Sequence, residues 1–175
     1  MSTLETVDTP CLVLEAARME RNVQRLRSRL TPMGVSLRPH LKTAKSVEVA
    51  RAVMSSPSGP ATVSTLKEAE QFADGGVRDM IYAVGISPAK LARVQALRAR
   101  GVDLTVILDS VEQAEAVAAA SRLSGSRIPA LIEVDCDGHR AGVKPDDAAR
   151  LVAIGSALVG GGAELRGVLT HAGGS

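Results

Sequence analysis

Short runs of β-branched and other apolar residues alternate along the whole chain with longer segments of helical period, and this alternation constrains the fold more than any motif does. Strands that alternate with helices favour an α/β fold with a parallel sheet, either closed as a barrel or open. The predicted strands are Val35–Leu41, Ala61–Ser64, Asp79–Val84, Asp103–Leu108, Ala130–Asp135 and Leu165–Thr170. The predicted helices are Leu14–Leu30, Lys45–Ser55, Leu66–Gly75, Pro88–Arg100, Val111–Arg122 and Pro145–Leu158.

Chain length bears on the choice between the two sheet architectures. A closed (β/α)8 barrel of the TIM type takes about 250 residues, whereas this chain has 175. The sequence therefore predicts either a complete open sheet or a barrel truncated after about six βα units. We favour the truncated barrel, as a single incomplete domain over residues 1–175.

Composition excludes several classes of function. The chain has 21 Lys+Arg against 19 Asp+Glu and only 1% aromatic residues, so neither nucleic acid nor a membrane surface is an expected partner. No apolar run approaches the roughly 18 residues of a membrane-spanning helix, and Met1–Val7 has no signal-peptide pattern, so we expect a cytoplasmic protein. Cys11 and Cys136 lie far apart, which indicates neither a disulfide framework nor a zinc site.

The first predicted strand leads into a cationic segment, Arg38-Pro39-His40-Leu41-Lys42-Thr43-Ala44-Lys45. In α/β folds the functional groups collect at the carboxyl ends of strands. A lysine there can act as an amine nucleophile that forms a Schiff base. The alternative is that Lys42 and Lys45 are a solvent-exposed pair in the first turn of a helix, and the segment by itself does not choose between the two lysines.

Carboxylates dominate the end of the fifth predicted strand. Glu133, Asp135 and Asp137 are spaced two apart and would share one face if the strand continued, an arrangement that could bind a divalent cation. Asp137-Gly138 is equally an ordinary turn dipeptide. Arg140, in the same segment, either binds an anion or pairs with a neighbouring acid.

The sixth predicted strand ends in Thr170-His171-Ala172-Gly173-Gly174-Ser175, whose small residues could hold a phosphate. A single histidine such as His171 is more often structural than catalytic. The sequence contains neither G-x-G-x-x-G nor G-x-x-x-x-G-K-[ST], so nucleotide binding is disfavoured.

Five motifs in this order resemble the fold-type III pyridoxal-phosphate enzymes. That family contains D-threonine aldolase, D-serine dehydratase and enzymes that process D-3-hydroxyaspartate, and it is distantly similar to alanine racemase. The resemblance covers the amino-terminal part of the family and implies its barrel fold. The motifs are Thr9-Pro10 followed by an apolar strand, Arg38–Thr43, Ala61–Glu70, Glu133–Asp135 with Gly138–Val143, and Gly167–Gly173.

The resemblance also implies a cofactor and roles for particular residues. Lys42, rather than Lys45, would carry pyridoxal phosphate as a Schiff base, and Arg140 would lie beside the phenolic oxygen of the cofactor. His40, His171 and Gly173 would line the cofactor pocket. The implied activity is that of a lyase on D-amino acids: retro-aldol cleavage of D-threonine-like substrates, or dehydration of D-serine or D-3-hydroxyaspartate.

Family members are about twice as long as this chain. By resemblance, a carboxy-terminal β domain and the ligands of a divalent metal (Mn, Mg or Zn) lie outside it, the full-length protein is a possible homodimer, and residues 1–175 alone are expected to be inactive. Many members have a second histidine where this chain has Ala44.

Three alternatives remain. They are a non-catalytic protein that binds pyridoxal phosphate, a metal-dependent barrel enzyme that uses Glu133, Asp135 and Asp137, and a complete open-sheet protein without a cofactor.

Overall fold

The computed structural model describes residues 4–172, and the chain divides into two compact units, Met1–Leu37 and Arg38–Ser175. The first unit contains helix α1 (Ala16–Leu30) and the 3-10 turn Thr31–Met33. The apolar strand expected after Thr9-Pro10 is wrong: residues 11–15 are exposed, Leu12 fully so, and within residues 4–172 no strand pairs with them.

The second unit alternates strands and helices as the sequence predicts. Strand β1 follows the short helix α2, and each later strand is separated from the one before it by a single α-helix; a 3-10 turn, Pro88–Lys90, also precedes α4. The helices are α2 (Val47–Val53), α3 (Leu66–Asp74), α4 (Leu91–Ala99), α5 (Val111–Ser124) and α6 (Ala148–Gly160). The strands are β1 (Ala61–Val63), β2 (Asp79–Gly85), β3 (Asp103–Leu108), β4 (Pro129–Val134) and β5 (Glu164–Thr170).

Within the described residues, the strands form one parallel sheet in the order β1-β2-β3-β4-β5. This arrangement confirms the predicted α/β fold and is consistent with a truncated barrel. Because parallel strands end at the same edge of the sheet, the segments that follow them are brought together there.

On one face of the sheet, strands β1 to β3 contribute a buried apolar layer. Ala61 pairs with Met80 and Met80 with Leu104, and none of these side chains is exposed to solvent. The helices contribute buried residues to the same core, among them Phe72 and Val117. Burying a large apolar side chain contributes about 1.5–3 kcal/mol, so this layer holds the strand ends in fixed positions.

The predicted strand Val35–Leu41 is wrong. A single parallel bridge joins His40 to Thr62, and only residues 39–41 lie beside β1. The carbonyl of Pro39 accepts from the Thr62 N–H at 2.8 Å, and the Leu41 N–H donates to the Thr62 carbonyl at 2.9 Å. Pro39 has no N–H of its own, so the pairing cannot continue toward the amino end as a regular ladder.

Four predicted helices begin later in the structure than expected, among them those predicted from Leu14 and Pro88, which begin at Ala16 and Leu91. The helix predicted from Lys45 begins at Val47, and the one predicted from Pro145 begins at Ala148. The side chains of Ser46 and Asp147 accept backbone hydrogen bonds at these N-termini. Such caps set the starting points because they satisfy N–H groups that have no partner within the helix. None of the helices within residues 4–172 has the length and apolar character needed to cross a membrane.

Candidate functional site

The segment that carries Lys42 contacts the sheet at two residues, Arg38 and His40. At its start, the Arg38 guanidinium makes two hydrogen bonds to the Asp79 carboxylate, at 2.7 and 3.1 Å. Above that, His40 forms the bridge to Thr62. The chain then turns, and the Lys45 N–H donates to the Leu41 carbonyl at 3.1 Å. This turn places Lys42 next to the carboxyl end of β1, with an exposed side chain.

His40 connects Lys42 to the turn after β1. The Lys42 N–H donates to Nδ1 of His40 at 3.3 Å, and Nε2 lies 3.2 Å from the Ser64 hydroxyl oxygen. Burial lowers the pKa of His40, the charges of Lys42 and His171 lower it further, and that of Glu68 opposes them. The imidazole is therefore neutral at pH 7. Since Nδ1 accepts, the ring proton resides on Nε2 and is donated to Ser64.

Glu68 is a buried carboxylate beneath the same turn, with 4% of its surface exposed. Its Oε2 accepts from the Ser64 N–H at 2.8 Å, and its Oε1 lies 3.2 Å from Nζ of Lys45. Burial acts to raise the pKa of Glu68, but the hydrogen bond from Ser64 and the interaction with Lys45 outweigh it and lower the pKa. The side chain is thus ionised at neutral pH.

Arg140 lies in the turn that follows β4. The Asp135 N–H donates to the Val143 carbonyl and the Val143 N–H to the Glu133 carbonyl, both at 2.9 Å, so the chain returns to the end of the strand from which it left. The Gly142 N–H donates to a carboxylate oxygen of Asp109, at the end of β3, at 3.0 Å. These bonds fix both ends of the turn, while within residues 4–172 no carboxylate lies within ion-pairing distance of the Arg140 guanidinium.

Glu133, near the carboxyl end of β4, is buried, with 5% of its surface exposed. Burial raises its pKa, the charges of Asp109 and Asp135 raise it further, and the charge of Arg140 opposes them. The guanidinium of Arg140 is therefore electrostatically coupled to a group of carboxylates at the ends of β3 and β4.

The structure brings several of the predicted site residues to one edge of the sheet. His171 directly follows β5, is half-buried, and is close enough to His40 to affect its pKa. Arg140 lies beyond the end of β4, on the same edge of the sheet as the ends of β1 and β5. Gly173 lies outside the described residues.

The carboxylates suggested as a metal site do not form one. Strand β4 ends at Val134, so the alternation that would align Glu133, Asp135 and Asp137 stops before Asp137. Oxygens of Asp135 and Asp137 instead accept backbone N–H groups of their own turn, at 2.9 and 3.1 Å. Over residues 4–172, no three His, Cys, Asp or Glu side chains are grouped so that they could hold a metal ion.

Sequence reasoning did not single out Glu68 or Asp109 as site residues. A signal for Glu68 was present, because Thr65-x-x-Glu68 is a capping-box pattern in which the glutamate reaches back to the start of its helix. The hydroxyl of Thr65 does accept from the Glu68 N–H, at 3.0 Å. Nothing in the sequence indicates that Asp109 contacts Gly142.

A family model described as alanine racemase, N-terminal domain, matches residues 14–175. The chain belongs to this family. The resemblance inferred from the five motifs is therefore confirmed at the level of the family and its fold.

Two relatives with lyase activities are similar to most of the chain. D-threo-3-hydroxyaspartate dehydratase from Delftia sp. (strain HT23) is 51% identical over 173 residues, which are 99% of this chain and 46% of that protein. Its solved structure has a TM-score of 0.94 to this chain, with 50% identity. The structure of D-threonine aldolase from Filomicrobium marinum has a TM-score of 0.82 and 30% identity and covers 94% of this chain and 44% of that one. The chain thus spans about half the length of these relatives.

A more distant structure shows the shared fold. Alanine racemase from Bartonella henselae, solved with covalently bound pyridoxal phosphate, has a TM-score of 0.70 and 17% identity, and covers 92% of this chain and 44% of that one.

Proposed function

We propose that the protein that contains this chain is a pyridoxal-phosphate-dependent lyase acting on D-amino acids, and that Lys42 is the residue to which the cofactor is attached. In this proposal residues 1–175 are a single cofactor-binding barrel domain that is incomplete in itself. The observation that carries the proposal is the amine of Lys42, which lies at the carboxyl edge of the sheet near His40 and has no ion-pair partner within residues 4–172. The chain that contains it is 51% identical to a D-threo-3-hydroxyaspartate dehydratase.

The availability of the Lys42 amine supports this assignment. Attachment of the cofactor requires an amine with a free lone pair, because nitrogen must attack the aldehyde carbon. Within residues 4–172, Nζ of Lys42 makes no hydrogen bond or ion pair, whereas Nζ of Lys45 is paired with Glu68.

The other groups at this edge have the chemistry that pyridoxal phosphate requires. The cofactor carries an anionic phosphate and a phenolic oxygen, for which cationic and N–H donors are suitable partners. Arg140 presents such a donor, and His171 directly follows β5. Gly173 follows in the sequence, where the small residues of Ala172-Gly173-Gly174-Ser175 could supply backbone N–H groups to a phosphate. When bound, the cofactor acts as an electron sink that stabilises negative charge at the substrate Cα.

Proton transfer is the part of the reaction that this chain's own residues would perform. When it is not bonded to the cofactor, the Lys42 amine would be the base that takes the proton from the substrate Cα. The backbone of Lys42 is held by Nδ1 of His40, and His40 is held by Ser64. Because the imidazole is neutral, it does not add a second positive charge beside the amine.

The proposed substrate is a D-amino acid with a β-hydroxyl group. Dehydration yields a keto acid and ammonia, whereas retro-aldol cleavage yields glycine and an aldehyde. The higher identity to the dehydratase, 51% against 33% for the D-threonine aldolase from Arthrobacter sp., favours dehydration of a 3-hydroxy-D-aspartate-like substrate.

The test uses the protein as the cell produces it, incubated with pyridoxal phosphate. Borohydride reduces the Schiff base between lysine and cofactor, and peptide mapping then locates the lysine that carries the reduced group. We expect the reduced pyridoxal group on Lys42 in the unmodified protein and none in Lys42→Ala. Lys67→Ala is the matched control, because Lys67 is an exposed lysine on α3 with no assigned role. Absence of an adduct at Lys42 in the unmodified protein would refute the assignment, and release of keto acid from the D but not the L substrate would establish the substrate class.

A further inference from the structure

We infer that Glu68 is a positioning residue that determines which of two neighbouring lysines reacts with the cofactor, because it holds Lys45 in an ion pair and leaves Lys42 as the free amine. The inference rests on the proposed function. It addresses a choice that the sequence leaves open, since Lys42 and Lys45 lie three residues apart in one cationic segment.

Both lysines are exposed, so accessibility to solvent does not distinguish them. Their partners do. Nζ of Lys45 lies 3.2 Å from Oε1 of Glu68, whereas within residues 4–172 Nζ of Lys42 makes no hydrogen bond or ion pair. An ammonium group that donates its protons to a carboxylate has no lone pair available to attack an aldehyde.

The two oxygens of the Glu68 carboxylate have separate partners. Oε2 accepts from the Ser64 N–H at 2.8 Å, which accounts for the ordinary role of a glutamate near the start of a helix. Oε1 is not needed for that role and faces Lys45. The carboxylate is buried and its pKa is lowered, so it carries a full negative charge at neutral pH.

The backbone of Lys45 shows that this residue is held in place. Its φ angle is +51°, and among residues 4–172 it is the one non-glycine residue with a positive φ. Residues with a Cβ adopt this left-handed region rarely, and they persist there when surrounding contacts fix them. The hydrogen bond from the Lys45 N–H to the Leu41 carbonyl and the ion pair to Glu68 supply those contacts.

The same carboxylate also supports the position of Lys42. Glu68 binds the Ser64 N–H, the Ser64 hydroxyl accepts from His40, and Nδ1 of His40 accepts from the Lys42 N–H. Glu68 therefore contacts the lysine-bearing turn from two sides. One contact immobilises the side chain of Lys45, and the other fixes the backbone of Lys42 through His40.

Glu68→Gln separates these two effects. The glutamine oxygen can still accept from the Ser64 N–H, so the helix start is preserved, but the negative charge beside Lys45 is lost. Glu70→Gln is the matched control: Glu70 lies on the same helix and pairs with Arg93, and it has no contact with either lysine.

The first measurement needs no cofactor. Lysine amines of the naturally produced protein, freed of pyridoxal phosphate, are labelled with limiting acetic anhydride, and the labelling of each is expressed relative to Lys67. We expect Glu68→Gln to raise the labelling of Lys45 about fivefold, which corresponds to the upper end of the strength of partly exposed ion pairs. Lys42 and the Glu70→Gln control should not change. Equal labelling of Lys45 in Glu68→Gln and the unmodified protein would overturn the inference.

The second measurement locates the cofactor. Condensation of a lysine amine with the aldehyde forms a C=N bond and releases water, and borohydride adds hydride to that carbon, so the attached lysine can be mapped. In the protein without substitutions we expect the cofactor adduct on Lys42 alone. In Glu68→Gln we expect adducts on both Lys42 and Lys45.

The two hypotheses fail differently in this measurement. No adduct at Lys42 in the unmodified protein would overturn the proposed function. An adduct confined to Lys42 in both proteins would overturn the inference and leave the proposed function intact. If Glu68→Gln does not fold by circular dichroism, the labelling of Lys45 is compared with that of Lys42 in the protein without substitutions. Lys42 must then be labelled more than Lys45, because Lys45 is paired with Glu68, and equal labelling of the two lysines overturns the inference.

Discussion

Substitution of Gly142 by alanine should destabilise the protein far more than the same substitution at Gly138, although both glycines lie in the turn that carries Arg140. Gly142 has a φ angle of +129° and Gly138 one of +72°. A Cβ atom on Gly142 would lie 2.5 Å from the Asp135 backbone nitrogen and 2.8 Å from the Val134 carbonyl carbon. A Cβ atom on Gly138 would have no described non-neighbouring atom within 4 Å. The two substitutions therefore differ in crowding as well as in backbone conformation.

The magnitude follows from the contacts of the turn. At Gly138 the cost is that of a left-handed alanine, about 1–2 kcal/mol. At Gly142 the backbone strain is about 1–3 kcal/mol, and the backbone must also move away from the end of β4. That movement breaks or lengthens up to three hydrogen bonds, those joining Val143 to Glu133 and Asp135 and the one from the Gly142 N–H to Asp109. At about 1 kcal/mol for each bond, the loss of all three brings the total to about 4–6 kcal/mol.

The assay is urea denaturation of the naturally produced protein and of both variants, followed by circular dichroism. We expect the free energy of unfolding to fall by about 3 kcal/mol more for Gly142→Ala than for Gly138→Ala. Equal losses would refute the reasoning, because they would mean that the turn does not approach β4 as closely as the structure shows.

Two further predictions concern buried polar groups. Burial and neighbouring carboxylates raise the pKa of Glu133 above its ordinary value of 4.5. The folded state therefore binds a proton at Glu133 more tightly than the unfolded chain does. As a result, the free energy of unfolding falls as the pH rises from the ordinary pKa through the folded pKa. Glu133→Gln should flatten this fall in urea titrations between about pH 4 and 7, and an unchanged slope would contradict the assignment. The buried hydroxyl of Ser121 donates to the Val117 carbonyl and accepts from the Ile128 N–H, so Ser121→Ala leaves that N–H unpaired. We expect the free energy of unfolding to fall by about 1–3 kcal/mol. The control, Ser124→Ala at an exposed position, should lower it by less than about 0.5 kcal/mol. A loss no larger than that of the control would show that the bond to Ile128 contributes nothing.

Most of the sheet is predictable from local sequence. The predicted strand Asp103–Leu108 is found with identical bounds, because a run of β-branched and apolar residues is bounded by Gly101 at one end and by the helix cap Ser110 at the other. The segment Val35–Leu41 has apolar residues at alternate positions, Val35, Leu37 and Leu41, and yet forms no strand. There the missing N–H of Pro39 outweighs β propensity.

The site is predictable only in part, for a physical reason. The cationic segment and the turn around Arg140 are visible in the sequence because their residues are neighbours in the chain. The pairing of Lys45 with Glu68 and the contact of Gly142 with Asp109 depend instead on how separate loops meet at one edge of the sheet. No local pattern encodes such distances, so these residues emerge only from the three-dimensional structure.

The strand order of the sheet has a consequence for how the protein is made. Because spatial order equals chain order, each strand pairs with the one synthesised just before it, as Asp79 does with Asp103. A nascent chain that leaves the ribosome at about 5–20 residues per second can therefore add strands one at a time to a growing edge, without waiting for a distant partner. Asp109, whose carboxylate accepts a hydrogen bond from the Gly142 N–H, is synthesised before the turn that carries Arg140. This hydrogen bond can therefore form as soon as the turn emerges.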